Sequence, residues 1–177
     1  MRQAVHPLQG DDFADAVDLI RKSFRHHVGP DWSREAGEAF CSGLFPDFLR
    51  QGLDAGGFAF GWFDDGHLNG VLIMPTPTWL RMMFVRPERA RSGIGRRLWM
   101  HARDHLSAHH PKTTTVELFA SPYAVPFYLQ MGFASLSREF HDRGMRVTRM
   151  ACWLPGEGLG AALNRSDPCL SPDACSP

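Results

Sequence analysis

Lysine is nearly missing from this 177-residue chain: Lys22 and Lys112 stand against 17 arginines. The bias reads as GC-rich coding composition, of the kind found in bacteria, and not as chemistry. A net charge is missing too. Nineteen Lys+Arg balance 19 Asp+Glu, which argues against a general nucleic-acid binder, usually basic overall. No stretch approaches the ~18 to 20 apolar residues that cross a bilayer. Behind Arg2, the residues Gln3, His6, Gln9, Asp11 and Asp12 interrupt any apolar run, so no secretory signal is expected. Cys41, Cys152, Cys169 and Cys175 include no CxxC pair. That excludes a zinc knuckle or a disulfide framework and leaves free thiols in a reducing cytoplasm. The expectations are a cytoplasmic protein with no membrane partner and no nucleic-acid partner.

What is present is enough for a core. Apolar residues make up 44% of the chain, ordinary for one globular domain. Phe13, Val17, Ile20 and Phe24 recur at helical spacing within Asp11–Val28. Ser33–Gln51 reads as a second helical region broken at Gly43 and Pro46. Phe58–Phe63 and His67–Met74 are strand-like runs joined by the turn signal Asp64-Asp65-Gly66. A third run, Trp79–Val85, ends at Pro87, and a helix follows over Gly93–His109. Thr113–Phe119 is a strand, Pro122–Met131 a short helix, and Phe133–Phe140 with Met145–Leu154 a closing pair of strands. The domain is expected over 1–154, and the Gly-, Pro- and Ser-rich stretch 155–177 reads as a flexible tail. The fold class is mixed α/β (α+β).

The zero balance is an average. Residues 81–103 carry seven arginines and only Glu88, whereas residues 1–80 carry 6 basic and 11 acidic groups. The cationic segment coincides with a strand-to-helix junction, Val85-Arg86-Pro87 through Gly93-Ile94-Gly95-Arg96. A helix start presents unpaired N–H groups and a partial positive charge, and glycines let an anion approach them. A Walker loop is excluded because no Gly-Lys pair exists, and a dinucleotide fingerprint is excluded because Leu98 stands where the third glycine belongs.

The junction resembles the acyl-CoA-binding motif of the GNAT superfamily of N-acetyltransferases, a strand ending in Val, then Pro, then [QR]xxGxG. Val85, Pro87, Gly93 and Gly95 match, while Ala90 replaces the [QR] residue with Arg91 next to it. A second block, Ser121 through Phe133, is similar to the family's [NS]xxAxxFYxxxGF segment, through Ser121, Ala124, Phe127, Tyr128, Gly132 and Phe133. The resemblance implies a mostly antiparallel, twisted sheet of about seven strands flanked by four helices. Two central parallel strands would splay into a V. It also implies direct acetyl transfer from acetyl-CoA to a primary amine in a ternary complex, with no metal.

Several residue roles follow from the resemblance. Met83, Phe84, Val85, Arg91, Ser92, Gly93, Ile94, Gly95 and Arg96 would bind the cofactor from the junction, and Ser121, Ala124, Phe127 and Tyr128 from the second block. A backbone amide within Met83–Val85 would hold the oxyanion. Tyr128 would be the acid for the departing thiolate. The strand positions that carry Glu or His in some members are Trp79 and Arg81 here, and neither is a base at neutral pH. Glu117, sharing a strand face with Thr115 and Phe119, is the alternative base, with a water relay as the other option. Trp32, Trp79 and Arg81 would line the acceptor pocket, with Phe40, Phe45 and Phe48 as further apolar wall. The acceptor would be a small-molecule or peptide amine, and the last strands offer a surface for a homodimer.

Two other readings compete: a degenerate acyl-CoA-binding or regulatory domain, suggested by the absent strand base, and nucleic-acid binding by the arginine segment. His101, His105 and His109 recur every four residues. Without HExxH they read as a solvated helix face and not as a metal site.

Overall fold

The apolar stripe of residues 13–24 winds into helix α1 (Asp12–His27) in the computed structural model, which describes residues 3–155. The expected tail beyond Pro155, with Cys169 and Cys175, lies outside the described residues. Strand β1 (Gln3–Pro7) precedes α1. The second helical region is two helices, α2 (Arg34–Ser42) and α3 (Pro46–Arg50). Ser33 starts α2 by accepting the Ala36 N–H on its side chain, and Pro46 opens α3, where a missing N–H costs nothing. Then follow β2 (Phe58–Asp64), β3 (His67–Met74), β4 (Met82–Val85), α4 (Ile94–His109), β5 (Thr115–Ala120) and α5 (Val125–Gln130). The expected strand over Phe133–Phe140 is broken into β6 (Ala134–Ser135) and β7 (Phe140–Asp142), and β8 (Met145–Trp153) closes the fold. Among the described residues, eight strands and five α-helices thus stand where about seven and four were expected.

The strands form two antiparallel halves. One has the order β1-β2-β3-β4, and the other is centred on β8, which pairs β5, β6 and β7. A single parallel bridge, Trp79 to Glu117, joins them. Burial explains the sequence patterns. β2 and β3 are buried along nearly their whole length, because helices cover both faces of the first half. On one side, Leu98, Trp99, Ala102 and Leu106 of α4 pack on Phe58, Phe60, Leu72, Val116, Leu118 and Met150, a core that runs beneath both halves. On the other, Phe13, Val17 and Ile20 of α1 pack on Ala59, Val71, Ile73 and Met82 of the first half alone. Each buried Val, Leu, Ile, Phe or Met among them stabilises the fold by roughly 1.5–3 kcal/mol. β5 alternates, with Val116, Leu118 and Ala120 buried and Thr115, Glu117 and Phe119 toward the open face. The second half therefore has one covered face and one bare one.

The histidine face of α4 is not simply solvated. His105 lies against Phe58 and Phe60 (4.5 and 5.2 Å between ring centroids), and His101 stands edge-on to Phe60 at 4.6 Å. Among the described residues no group of three or more His, Cys, Asp or Glu could hold a metal ion. Cys41 and Cys152 are not disulfide-bonded. No helix of the described residues is long and apolar enough to cross a membrane.

Candidate functional site

The site begins where the two halves part. Leu80 N–H donates to Glu117 O and Glu117 N–H donates to Thr78 O, both at 2.9 Å. Beyond that joint β4 stays with β3 and β5 stays with β8. Arg81 N–H donates to Ile73 O at 3.0 Å, although the residue paired with Ile73 is Met82. Two residues thus face one, a bulge that resets the strand's phase. Downstream, Arg86 N–H donates to Asn69 O at 2.9 Å. Antiparallel pairing alternates its hydrogen bonds, so the N–H groups of Met83 and Val85 turn away from β3 and into the gap. The same alternation from Glu117 turns the N–H and C=O of Phe119 toward the gap from the other side. Two unpaired strand edges therefore face each other. Of the expected trio, Phe84 differs: its side chain packs with the α1 core and stands 6.4 Å from the Phe40 ring.

The junction loop meets the mouth of this gap. Arg91 (φ +60°) and Gly93 (φ +80°) both take the left-handed conformation, natural for glycine and costly for arginine. Gly93 caps α4 without a side-chain bond, and Arg97 N–H is the first to bond back, to Gly93 O at 3.1 Å. The N–H groups of Ile94, Gly95 and Arg96 are left over, as at any helix start. Ser92 donates its hydroxyl to Arg89 O at 2.6 Å and holds the turn. The arginines divide by use. Arg89 is ion-paired with buried Asp64, Arg86 donates to Leu68 O at 2.7 Å, and Arg97 lies over the Trp62 ring at 5.0 Å. Arg91 and Arg96 are exposed and join none of the ion pairs among the described residues.

The second block closes the same mouth. Ser121, buried, follows β5 and accepts the Ala124 and Val125 N–H groups on its carbonyl (2.9 and 3.1 Å), starting α5. Phe127 reaches back to the α4 start: a Cβ on Gly95 would lie 3.2 Å from its ring. Ala124, Val85, Met83 and Phe127 pack together against the α4 core. Tyr128 is buried and edge-on to Phe127 and Phe133 (5.3 and 5.2 Å). Its burial pushes the phenol's pKa well above the usual range, so it stays protonated at any ordinary pH.

The bare face of the second half carries the other expected residues. Glu117 accepts two hydrogen bonds from Arg149, at 2.9 and 2.6 Å. Trp79 stands edge-on to Phe119 at 5.2 Å, and Phe119 edge-on to Phe140 at 6.0 Å. Arg81 reaches toward α3, with its guanidinium 5.1 Å from the Phe48 ring centroid. Trp32 lies elsewhere, between α1 and α2, against Phe24 and Phe40 (5.0 and 5.6 Å), with its Nε1 buried and unpartnered.

Sequence reasoning missed the contacts that cross the gap. His27, at the end of α1, stacks on Tyr123 (4.4 Å, 13° between planes). Its Nε2 is buried without a partner, and burial followed by the charge of His26 lowers its pKa. Because α1 rides on the first half and Tyr123 follows β5, this stack crosses the gap. Below it, Ser33 N–H donates to Gly144 O at 2.8 Å, and Arg146 donates to Asp31 (3.1 Å) and Glu139 (2.9 Å). The segment after α1 is thus clasped to the β7–β8 hairpin. Only its length and its Gly-Pro could have hinted at this in the sequence. A concavity of about 1140 Å³ lies outside the gap, between α1, α2 and Pro87-Glu88.

A family model described as an acetyltransferase (GNAT) domain matches residues 28–154. Solved structures share the fold. A GCN5-related N-acetyltransferase from Rhodopseudomonas palustris superposes with a TM-score of 0.73 at 19% identity, covering 87% of this chain and 97% of that one. The PaiA N-acetyltransferase from Thermoplasma acidophilum, in complex with coenzyme A, gives 0.70 at 19% identity (86% and 99%). The ribosomal-protein-S18-alanine N-acetyltransferase from Escherichia coli gives 0.59 at 19% identity (89% and 99%). No curated protein matches the sequence.

Proposed function

The chain belongs to the acetyltransferase (GNAT) family, and on that premise we propose that it moves an acetyl group from acetyl-CoA to a primary amine by direct attack. The observation that carries the proposal is the pair of unpaired strand edges above the Leu80–Glu117 joint, with a bare helix N-terminus at their mouth.

Each residue then has a task. The N–H groups of Ile94, Gly95 and Arg96, with the side chains of Arg91 and Arg96, hold the pyrophosphate. The edges at Met83, Val85 and Phe119 hydrogen-bond the amides of the pantetheine arm, the Ser121 hydroxyl adds a further bond, and Ala124 and Phe127 wall the arm. Met83 N–H, nearest the joint, donates to the thioester oxygen as it turns into an oxyanion. The amine nitrogen forms the new C–N bond, the C–S bond breaks, and the sulfur leaves as a thiolate. Glu117, held by Arg149, takes the amine's proton through water. Tyr128 faces the thiolate with a hydrogen bond and keeps its proton. Full transfer from a phenol held so far above a thiol of pKa about 8.5 would be uphill.

Thiol titration of CoA release with an amine panel tests the reading: acetyl-CoA-dependent release that requires an amine supports it. The missing strand base and the Arg149 clamp on Glu117 favour a second reading, an acyl-CoA-binding domain without turnover. Tight CoA binding with no release on any amine would select that one.

A further inference from the structure

We infer that Arg81, whose guanidinium lies against the Phe48 ring, selects an acceptor amine that carries a carboxylate on an aromatic or apolar body; this rests on the acetyl-transfer reading above. The first ground is an unmatched charge. A guanidinium has five N–H donors, and Arg81 uses them for one long bond, 3.3 Å to Phe48 O. Compare Arg21, also half-buried, whose donors reach Cys41 O at 3.1 Å and Leu44 O at 2.6 Å. Arg81 takes part in none of the ion pairs among the described residues. The acid across the joint, Glu117, is already held by Arg149. Partial burial lowers the Arg81 pKa without removing its charge. A partly desolvated charge with no counter-charge costs stability, and a carboxylate brought by a ligand would offset that cost.

The second ground is position. Arg81 is the bulged residue two places before Met83, the amide nearest the reacting carbonyl in the reading above. A carboxylate on its guanidinium would hold the rest of a small molecule over the joint. The third ground is what lies beside it. Phe48 sits under the guanidinium, and Trp79, two residues before Arg81 in the chain, begins a row of rings through Phe119 and Phe140 across the bare face. Phe119 is 50% and Phe140 37% exposed, an unusual amount of open aromatic surface. Charge and rings together fit an amino-acid-like acceptor with an aromatic side chain: planar carboxylate on a planar fork, ring against ring.

The probes are phenylalanine against phenethylamine, and tryptophan against tryptamine, pairs that differ only in the carboxylate. The expected result is a kcat/KM at least about tenfold higher for the carboxylate member, carried in KM, since a charge-assisted pair is worth that much. In Arg81→Gln the ratio should fall toward one, and Arg81→Lys should recover part of it. Equal kcat/KM within each pair in the wild type overturns the inference and leaves acetyl transfer standing. So does a preference that survives Arg81→Gln. If CoA binds and no amine is acetylated, the acetyl-transfer reading fails instead. Calorimetric binding of N-acetylphenylalanine then decides the inference: binding that Arg81→Gln abolishes upholds it, and no binding in the wild type overturns it.

Discussion

The ring of Phe127 rests on the backbone of Gly95, so close that a Cβ there would stand 3.2 Å from Cζ and 3.3 Å from Cε2. This contact ties the helix start that would hold the pyrophosphate to the helix that carries Tyr128. Gly95→Ala should therefore displace the Phe127 ring and weaken CoA binding by about three- to tenfold. Its melting temperature should hold or rise, because alanine is the better helix former by ~1 kcal/mol. The double variant with Phe127→Leu should recover affinity, a coupling readable in a double-mutant cycle. Calorimetry with CoA and thermal unfolding check the two halves of the claim.

The arginine segment should split by function. Arg91→Ala and Arg96→Ala, which remove unpaired charges, should each raise the CoA dissociation constant about three- to tenfold and flatten its salt dependence. Arg89→Ala should do neither. It should instead cost about 1–3 kcal/mol of stability, because Asp64 is only 6% exposed and would keep a buried carboxylate with no cation. Salt-series binding and denaturant unfolding separate the groups.

Tyr128→Phe should lower kcat by about ten- to a hundredfold while changing CoA affinity little. Burial raises the phenol's pKa above its unfolded value. Its contribution to stability is therefore full below the ordinary phenol range near ~10 and is lost as pH rises through the raised value. The wild type should thus lose stability at alkaline pH more steeply than Tyr128→Phe, measured by unfolding between neutral and strongly alkaline buffers.

On the acid side His105 contributes alongside His27, whose pKa burial also lowers. The His105 pKa is lowered first by burial and then by the charges of His109, His110 and His101. A depressed histidine gives stability that is present above its unfolded pKa near ~6.5 and declines as pH falls below it. His105→Gln should melt with a smaller loss between pH 7.5 and 5 than the wild type.

Much of this was legible in the residues. The apolar runs of β2 and β3 have no alternation, and the structure shows why: helices lie on both faces. Thr115–Ala120 alternates because only one of its faces is covered. The glycine turn and the Ser121–Phe133 block stood out because backbone conformation and close packing restrict those positions to few residue types. The broken β6–β7 region was not legible, since residues 134–140 pair with β8 over short spans that leave no periodic trace. Nor was the contact of His27 with Tyr123, nor that of Arg146 with Asp31. Pairs 96 and 115 positions apart are set by how the layers close, not by any local pattern.

The gap between β4 and β5 has one further consequence, for the rate at which protons exchange with water. The halves are held together by side chains packed under α4 and by the contacts of residues 27–33 with the second half, not by a ladder across the joint. Met83, Val85 and Phe119 therefore sit at the centre of the molecule with amides that no protein oxygen protects. In deuterated solvent they should exchange on the timescale of an outer edge strand while Leu72 and Leu118, a few ångströms away, stay protected until the whole domain opens.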